Sequence, residues 1–157
     1  RIYSKLNCIE NMLISHKASD SGFIFAKVPA DLTEKAETLL NFVGLYQKRK
    51  LRAGDLSFGQ QKLLELAMAL MNEPKMLLLD EPTAGINPTL INGIIDRLIK
   101  VNSEYGITLL VIEHNMRVIM SLAQKIFCLA HGKMLAQGSP QEIKNDKRVI
   151  DAYLGAQ

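Results

Sequence analysis

The sequence predicts an α/β protein built around a parallel sheet. Residues 77–79 and 107–112 are two short apolar runs, typical of strands that are buried on both faces of such a sheet. Asn87 and Pro88 lie between these runs and form a cap and first turn for a helix that reaches about residue 103. A strand, a helix and a second strand in this order indicate a parallel pair joined by a right-handed crossover.

The amino-terminal part of the chain predicts two helices. Asn7 followed by Glu10 has the spacing of a capping box, which begins the first helix. Residues 17–28 carry only a weak pattern and are expected to form a loop. Asp31 begins the second helix, and Gly44 can end it in a left-handed conformation. The side chains expected to face inward from this helix are Leu32, Ala36, Leu39, Leu40 and Val43.

A third helix is predicted over residues 58–71, and its amino terminus has the features of an anion site. Ser57 stands at the N-cap position, and Gly59 lets a ligand approach the backbone closely. The free amides and the positive end of the helix dipole then face that ligand. The alternative is a plain serine-capped helix without a ligand. The buried stripe of this helix is expected to contain Leu63, Leu66, Ala67 and Leu70.

Two carboxylates stand where the first strand ends. This strand is predicted over residues 77–82, and it delivers Asp80 and Glu81 to the carboxyl edge of the sheet, where ligands bind in open α/β folds. Pro82 cannot donate to a strand ladder and therefore ends the strand. Such a pair can hold Mg²⁺ and place a base against a phosphate. A solvated turn between strand and loop is the alternative.

His114 follows the second strand, and the crossover predicts that it reaches the same sheet edge as Asp80 and Glu81. By itself, a histidine in this place would be an ordinary surface residue. The helix between the two strands is expected to bury Ile91, Ile94, Ile95, Leu98 and Ile99.

The carboxyl-terminal part predicts a hairpin followed by two helices. A strand over residues 125–129 and a tight turn at His131 indicate the hairpin. Ser139 caps the next helix, which has proline at its first position and glutamate at its third. A last short helix covers residues 147–154.

Composition and charge exclude several classes of protein. The 157 residues are 48% hydrophobic and 22% charged, as in an ordinary globular domain, and the net charge is only +3. Residues 48–50 with Arg52 are the densest basic run; without interleaved aromatics they favour a solvated loop or an acidic partner over nucleic acid. No apolar run approaches the roughly 18 to 20 residues of a membrane span, and no signal peptide is recognised. Cys8 and Cys128 lack metal-ligand spacing and are expected to be reduced core thiols of a cytosolic protein.

Four elements in a fixed order resemble the nucleotide-binding subunits of ABC transporters over nearly the whole chain. Residues 56–60 (Leu-Ser-Phe-Gly-Gln) are similar to the signature motif and residues 77–82 to the Walker B strand with its catalytic glutamate. Residues 84–88 are similar to the D-loop and His114 to the switch histidine. The resemblance implies a P-loop NTPase-like (RecA-like) fold, in which a partial parallel sheet is flanked by helices and accompanied by an ABC helical subdomain.

In that family two such subunits clamp two ATP molecules between them, and the resemblance implies roles for residues of this chain. Glu81 would polarise the attacking water and His114 would steady the γ-phosphate, while Asp80 would help to hold Mg²⁺ through water. The residues implied to bind nucleotide are Ser57, Phe58, Gly59, Gln60, Asp80 and Asn87. The implied partners are a second ATPase subunit and integral membrane permease subunits, with no nucleic acid. The implied location is peripheral, on the cytoplasmic side of the inner (plasma) membrane.

Finer features resemble the subfamily that drives branched-chain amino acid uptake. They are Phe58 in the signature motif, the pair Gln60 and Gln61, residues 84–88 and 112–116, and the tail at residues 138–143 and 152–155. The ATPases of lipopolysaccharide export have a similar tail. Two further interpretations stay open: a non-catalytic interaction module with this architecture, and a soluble ABC ATPase of repair or translation.

The chain also departs from the family pattern. Met68 stands where relatives commonly carry arginine, and no G-x-x-x-x-G-K-[ST] loop or glutamine loop occurs. We therefore expect this chain to be the carboxyl-terminal portion of an ABC ATPase domain. A helical subdomain is expected at residues 1–75 and part of the catalytic core at residues 76–157. Because the phosphate loop supplies most of the nucleotide affinity, these residues alone should bind ATP feebly and not hydrolyse it. An exposed apolar surface should remain at the sheet, and the chain should therefore self-associate through it.

Overall fold

The computed structural model describes residues 2–16 and 28–153, and the chain divides into two compact units, Arg1–Val111 and Ile112–Gln157. The predicted loop at residues 17–27 and the last four residues of the tail lie outside the described residues. The elements in chain order are α1 (Cys8–Ser15), α2 (Ala30–Phe42), α3 (Phe58–Leu70), β1 (Met76–Asp80), α4 (Pro88–Ser103), β2 (Thr108–Ile112), α5 (Met116–Leu122), β3 (Ile126–Ala130), β4 (Lys133–Gly138), α6 (Pro140–Asn145) and α7 (Lys147–Tyr153). Single turns of 3₁₀-helix lie at Tyr46–Lys48 and Ala53–Asp55.

The first unit begins with α1, α2 and α3 packed against one another. The capping box predicted at Asn7 is present, and the five inward side chains predicted for α2 are all buried. Gly44 has φ +78°, and the N–H groups of Gly44 and Leu45 close the end of α2 on the carbonyls of Asn41 and Leu40. These two bonds form a Schellman motif, so the predicted left-handed end of α2 is confirmed.

Two details of these helices were predicted wrongly. Helix α2 begins at Ala30, with Pro29 before it, so Asp31 lies in the first turn and does not cap. On α3, Leu64 is fully buried and Leu63 is partly exposed, the reverse of the predicted stripe. Neighbouring leucines differ by 100° around the helix, and the position of α1 and α2 decides which of them is covered.

Strands β1 and β2 are hydrogen-bonded neighbours in a partial parallel sheet, and α4 connects them as predicted. The prediction that both strands are buried on both faces is wrong, because Leu78 is 73% exposed and Leu110 49% exposed. An unbroken apolar run does not specify what covers each face of the sheet. The separate expectation of an exposed apolar surface at the sheet is confirmed.

Helix α4 begins at the predicted cap, but its buried set differs from the prediction. Ile94, Ile95 and Leu98 are buried as expected, and Val101 joins them. Ile99 is 41% exposed, and Ile91 is only partly covered. No helix among the described residues is long and apolar enough to cross a bilayer.

The second unit is an antiparallel hairpin of β3 and β4 with α5, α6 and α7. The two turn residues, His131 and Gly132, have φ values of +48° and +73°, which is the type I′ geometry that suits a two-residue hairpin. The capping box at Ser139 is present as predicted. Helix α5 was missed because its seven residues bury only Val118 and give almost no periodic pattern. The core of the unit consists of Ile126, Cys128, Ala136, Ile143 and Val149.

Both cysteines are free and buried, which confirms the prediction of core thiols. Burial raises the pKa of the Cys8 thiol above its ordinary value, against a smaller opposing effect of its backbone hydrogen bond. Burial also raises the pKa of the Cys128 thiol, and the nearby Asp146 carboxylate adds to that effect. Each cysteine therefore stays protonated and packs as a small apolar side chain.

Candidate functional site

The acidic pair lies at the carboxyl end of β1, where the sequence placed it. Asp80 is the last residue of the strand, Glu81 is the first residue of the following turn, and both are exposed. Glu81 has φ +45°, a left-handed conformation that costs a non-glycine residue of order 1–3 kcal/mol. The turn is closed by the N–H of Ala84, which donates to the carbonyl of Glu81 at 3.1 Å. Strained residues of this kind cluster at active sites and ligand clamps.

The turn after the acidic pair leads into α4 through a capped start. Thr83 and Ile86 are buried beneath it. The side-chain oxygen of Asn87 accepts hydrogen bonds from the N–H of Thr89 at 3.0 Å and from its hydroxyl at 2.6 Å. Asn87 therefore caps its own helix, and the contact with nucleotide or with a second subunit expected of it stays a prediction.

The N-cap predicted at Ser57 is present, and Gln60 completes it as a reciprocal capping box. The N–H of Gln60 donates to Oγ of Ser57 at 3.4 Å, and the N–H of Ser57 donates to Oε1 of Gln60 at 3.1 Å. Ser57 is exposed. The positive end of the helix dipole and the remaining first-turn amides lie beside it, an arrangement suited to an anionic ligand.

The start of α3 also contacts the turn that follows the acidic pair. A Cβ placed on Gly85 would lie 3.3 Å from Cε1 of Phe58, so the phenyl ring rests against the Gly85 backbone. Gly59 is buried, and a Cβ there would lie 3.3 Å from Cδ1 of Leu90 and 3.6 Å from Cγ2 of Ile86. The close approach that Gly59 permits is therefore to apolar groups of its own chain. Sequence reasoning missed this contact, which no local pattern reveals.

His114 belongs to the second unit, two residues beyond the end of β2. Its side chain is exposed. The next residue, Asn115, caps α5 by accepting a hydrogen bond from the N–H of Arg117 at 3.1 Å. His114 thus lies just beyond a strand end, as the sequence predicts, and just before the start of α5, which the sequence analysis missed. Its proximity to Asp80 and Glu81 stays a prediction.

The donor chemistry at the strand end suits Mg²⁺ held jointly with phosphate. Within residues 2–16 and 28–153, no three His, Cys, Asp or Glu side chains come together as a complete metal site. Magnesium keeps several waters and is commonly bound by one or two carboxylates together with substrate phosphates. The exposed carboxylate of Asp80, beside that of Glu81, meets this requirement.

A cleft of the first unit lies away from these residues. It measures about 520 Å³ and lies between α2, the carboxyl end of α3 and the approach to β2. Its walls include Leu39, Leu70 and Ile107, with the ion pair of Lys35 and Glu73 at its rim. None of the predicted site residues lines it. Ser57, Asp80 and Glu81 are instead exposed at the surface.

Comparison with known proteins decides the family. The family model described as "ABC transporter" matches residues 2–84, which include the capped start of α3 and the acidic pair. This chain is a member of the ABC transporter family. A second family model, "Branched-chain amino acid ATP-binding cassette transporter", matches residues 133–157, so the resemblance inferred from the motifs is confirmed at both ends of this ABC chain.

Individual relatives agree with the family models. The high-affinity branched-chain amino acid transport ATP-binding protein LivG of Salmonella typhimurium is 32% identical to this ABC chain, and BraF of Pseudomonas aeruginosa, which carries the same description, is 35% identical. Each alignment covers 99% of the chain and 64% of the relative. The chain thus spans 64% of the length of these curated relatives.

A solved structure has the same fold. The crystal structure of the ADP conformation of MJ1267, an ATP-binding cassette of an ABC transporter, superimposes with a TM-score of 0.80 at 33% identity. The superposition covers 97% of this chain and 64% of that one. The predicted fold class, a P-loop NTPase-like α/β fold with a partial parallel sheet, is therefore confirmed.

Proposed function

We propose that this chain is part of the ATP-binding and ATP-hydrolysing subunit of an ABC transporter that takes up branched-chain amino acids. The names of LivG and BraF and the family model at residues 133–157 support this substrate class. Its partners are a second ATPase subunit and integral membrane permease subunits. The protein then acts as a peripheral subunit on the cytoplasmic side of the membrane. The chain consists of a helical subdomain at residues 1–75 and part of the catalytic core at residues 76–157.

Hydrolysis depends on the carboxylates at the end of β1. Glu81 accepts a proton from the attacking water, and Asp80 would help to hold Mg²⁺. Mg²⁺, when bound, offsets negative charge on the phosphates. His114 steadies the γ-phosphate from the end of β2. A positioned general base contributes about 10² to 10⁴ in rate, which makes Glu81 the largest contributor among these side chains.

The capped start of α3 serves the nucleotide bound to the opposite subunit. Ser57 and the first-turn amides of Phe58 and Gly59 approach the γ-phosphate, while Gln60 keeps Ser57 in place through the capping box. A helix dipole adds only about 0.3 to 1 kcal/mol, so this end orients the phosphate more than it drives the chemistry. Asn87, at the start of α4, lies in the loop that faces the second subunit.

One observation carries the proposal: the left-handed conformation of Glu81 at the exposed end of a strand, directly after Asp80. Glycine and asparagine adopt φ +45° at lower cost than glutamate does. Glu73 and His131 have similar φ values, +46° and +48°, but neither directly follows an acidic residue at a strand end. The strain and this place together support a chemical role for Glu81.

The test is Glu81→Gln in the full-length protein. We expect turnover to fall by about 10² to 10⁴, because the amide cannot accept the proton, while ATP affinity stays close to that of the wild type. Glu104→Gln, at the exposed end of α4, is a matched control. Turnover of Glu81→Gln near the wild-type rate would remove Glu81 from the base role. A wild-type protein that binds its permease without hydrolysing ATP would favour a non-catalytic interaction module.

A further inference from the structure

Asn11 is fully buried, and its side chain holds the segment that precedes α1. Its Oδ1 accepts a hydrogen bond from the N–H of Tyr3 at 2.7 Å. Its Nδ2 donates to the carbonyls of Asn7 at 2.9 Å, Tyr3 at 3.1 Å and Leu6 at 3.3 Å. A buried amide is costly unless its donors and acceptor are all satisfied, so these bonds fix the backbone of residues 3–7 against α1.

The same segment is hydrogen-bonded to the stretch that leads to α3. Two backbone N–H···O=C bonds join them, those of Ala53 to Leu6 (2.9 Å) and Gly54 to Ser4 (3.0 Å). Two more come from the first turn of α1, those of Cys8 to Leu51 (3.1 Å) and Ile9 to Arg49 (3.0 Å). A Cβ on Gly54 would lie 3.0 Å from the carbonyl oxygen of Ser4, so the two stretches are in close contact. Residues 49–54 must therefore follow any movement of residues 3–9.

Gln61 joins that second stretch to α3. Its Nε2 donates to the carbonyls of Ala53 at 3.2 Å and Leu56 at 3.3 Å, which both precede the N-cap residue Ser57. Its backbone N–H donates to the carbonyl of Ser57 at 2.9 Å. The position of Ser57 thus depends on a continuous series of hydrogen bonds that begins at Asn11 and ends at Gln61.

We propose that Asn11 and Gln61 are positioning residues for the capped start of α3, and that the segment before α1 sets where Ser57 stands. The inference rests on the proposed function, in which Ser57 meets the γ-phosphate of the opposite subunit's nucleotide. Neither amide touches the nucleotide. Each acts through the backbone, so movement of the segment before α1 is carried to the phosphate-facing end of α3.

Gln61→Met in the full-length protein tests this directly, since methionine keeps the length of the side chain and removes both bonds. We expect kcat to fall about 10- to 100-fold, because a displacement of about 1 Å at a reacting group costs that much, with ATP affinity unchanged. The matched control is Asn102→Leu. Asn102 is also a helical amide bound to a backbone carbonyl, that of Ile107 at 3.0 Å, but lies outside the series. It should lower stability and leave kcat unchanged.

Amide hydrogen exchange at residues 57–61, measured without nucleotide, gives a readout independent of activity. Exchange there should be faster in Gln61→Met than in Asn102→Leu, and Asn11→Leu, if it folds, should match Gln61→Met. If the wild type does not hydrolyse ATP but the exchange differs, the proposed function fails and the positioning claim stands. Unchanged exchange overturns the positioning claim. A kcat of Gln61→Met equal to that of Asn102→Leu in an active enzyme overturns it as well.

Discussion

Single residues in unusual conformations mark the start and end of the turn after β1. Glu81 at φ +45° and Gly85 at φ +70° both lie in the left-handed region. Gly85 pays no steric cost there, and its missing side chain leaves room for the Phe58 ring. Phe58 is 53% exposed, and the ammonium of Lys62 lies 5.7 Å from its ring centroid. The turn is therefore held from one side by backbone geometry and from the other by an aromatic contact.

Gly85→Ala should separate these two effects. Left-handed strain alone costs a residue with a side chain about 1 to 2 kcal/mol. We expect Gly85→Ala to lower the free energy of unfolding by more than this, because the new methyl group also meets the Phe58 ring. Gly106→Ala is the control, since Gly106 has φ +67° and nothing within 4 Å of its Cβ position. Denaturant unfolding of both variants, alone and with Phe58→Ala, measures the difference. Equal losses for both variants would show that Phe58 does not press on Gly85.

At the level of elements, most helix caps could be predicted from sequence, whereas the coverage of the strand faces could not. Asn7, Ser57, Asn87 and Ser139 all cap the helices predicted for them, because a cap is a bond between residues two or three positions apart. The burial predicted for both faces of β1 and β2 was wrong, because what covers each face depends on the rest of the fold. The same distinction holds at the site, where the strand-end carboxylates could be placed but the strain at Glu81 could not.

The cap of α6 gives a pH dependence that can be measured. The Glu142 carboxylate accepts hydrogen bonds from the N–H of Ser139 at 2.7 Å and from its hydroxyl at 2.8 Å, and these bonds lower the pKa of Glu142 below its ordinary value of 4.5. A lowered pKa stabilises the folded state above about pH 4.5, and this contribution is lost as the pH falls through the folded pKa.

We therefore expect the stability of the hairpin unit to fall as the pH drops below about 4.5, and to fall less steeply in Glu142→Gln. The stability of that variant still depends on pH, because hydrogen bonds with Arg148 also lower the pKa of Asp146. Asp151→Asn, an exposed carboxylate of α7, is the matched control. Unfolding followed by circular dichroism across this range measures the slopes, and identical slopes for Glu142→Gln and wild type would contradict the assignment.

At the scale of the whole molecule, the sheet of β1 and β2 exposes apolar side chains to solvent. Residues along β1 and β2 keep large apolar side chains in solvent, with Met76 at 50%, Leu78 at 73% and Leu110 at 49% exposure. Burying a fully exposed leucine contributes about 1.5 to 3 kcal/mol, so covering these partly exposed side chains would favour association. Exposed apolar patches of this kind mark interaction surfaces.

The 157-residue chain should accordingly self-associate through this patch. Sedimentation velocity over a range of concentrations should show an average mass that rises with concentration, and Leu78→Ser should shift it towards the monomer. Ile14→Ser is the control, because Ile14 is similarly apolar and 55% exposed but lies on α1, away from the strands. Its mass profile should match the wild type. A wild-type chain that stays monomeric at every concentration, or an equal effect of the two variants, would show that these strands do not drive association.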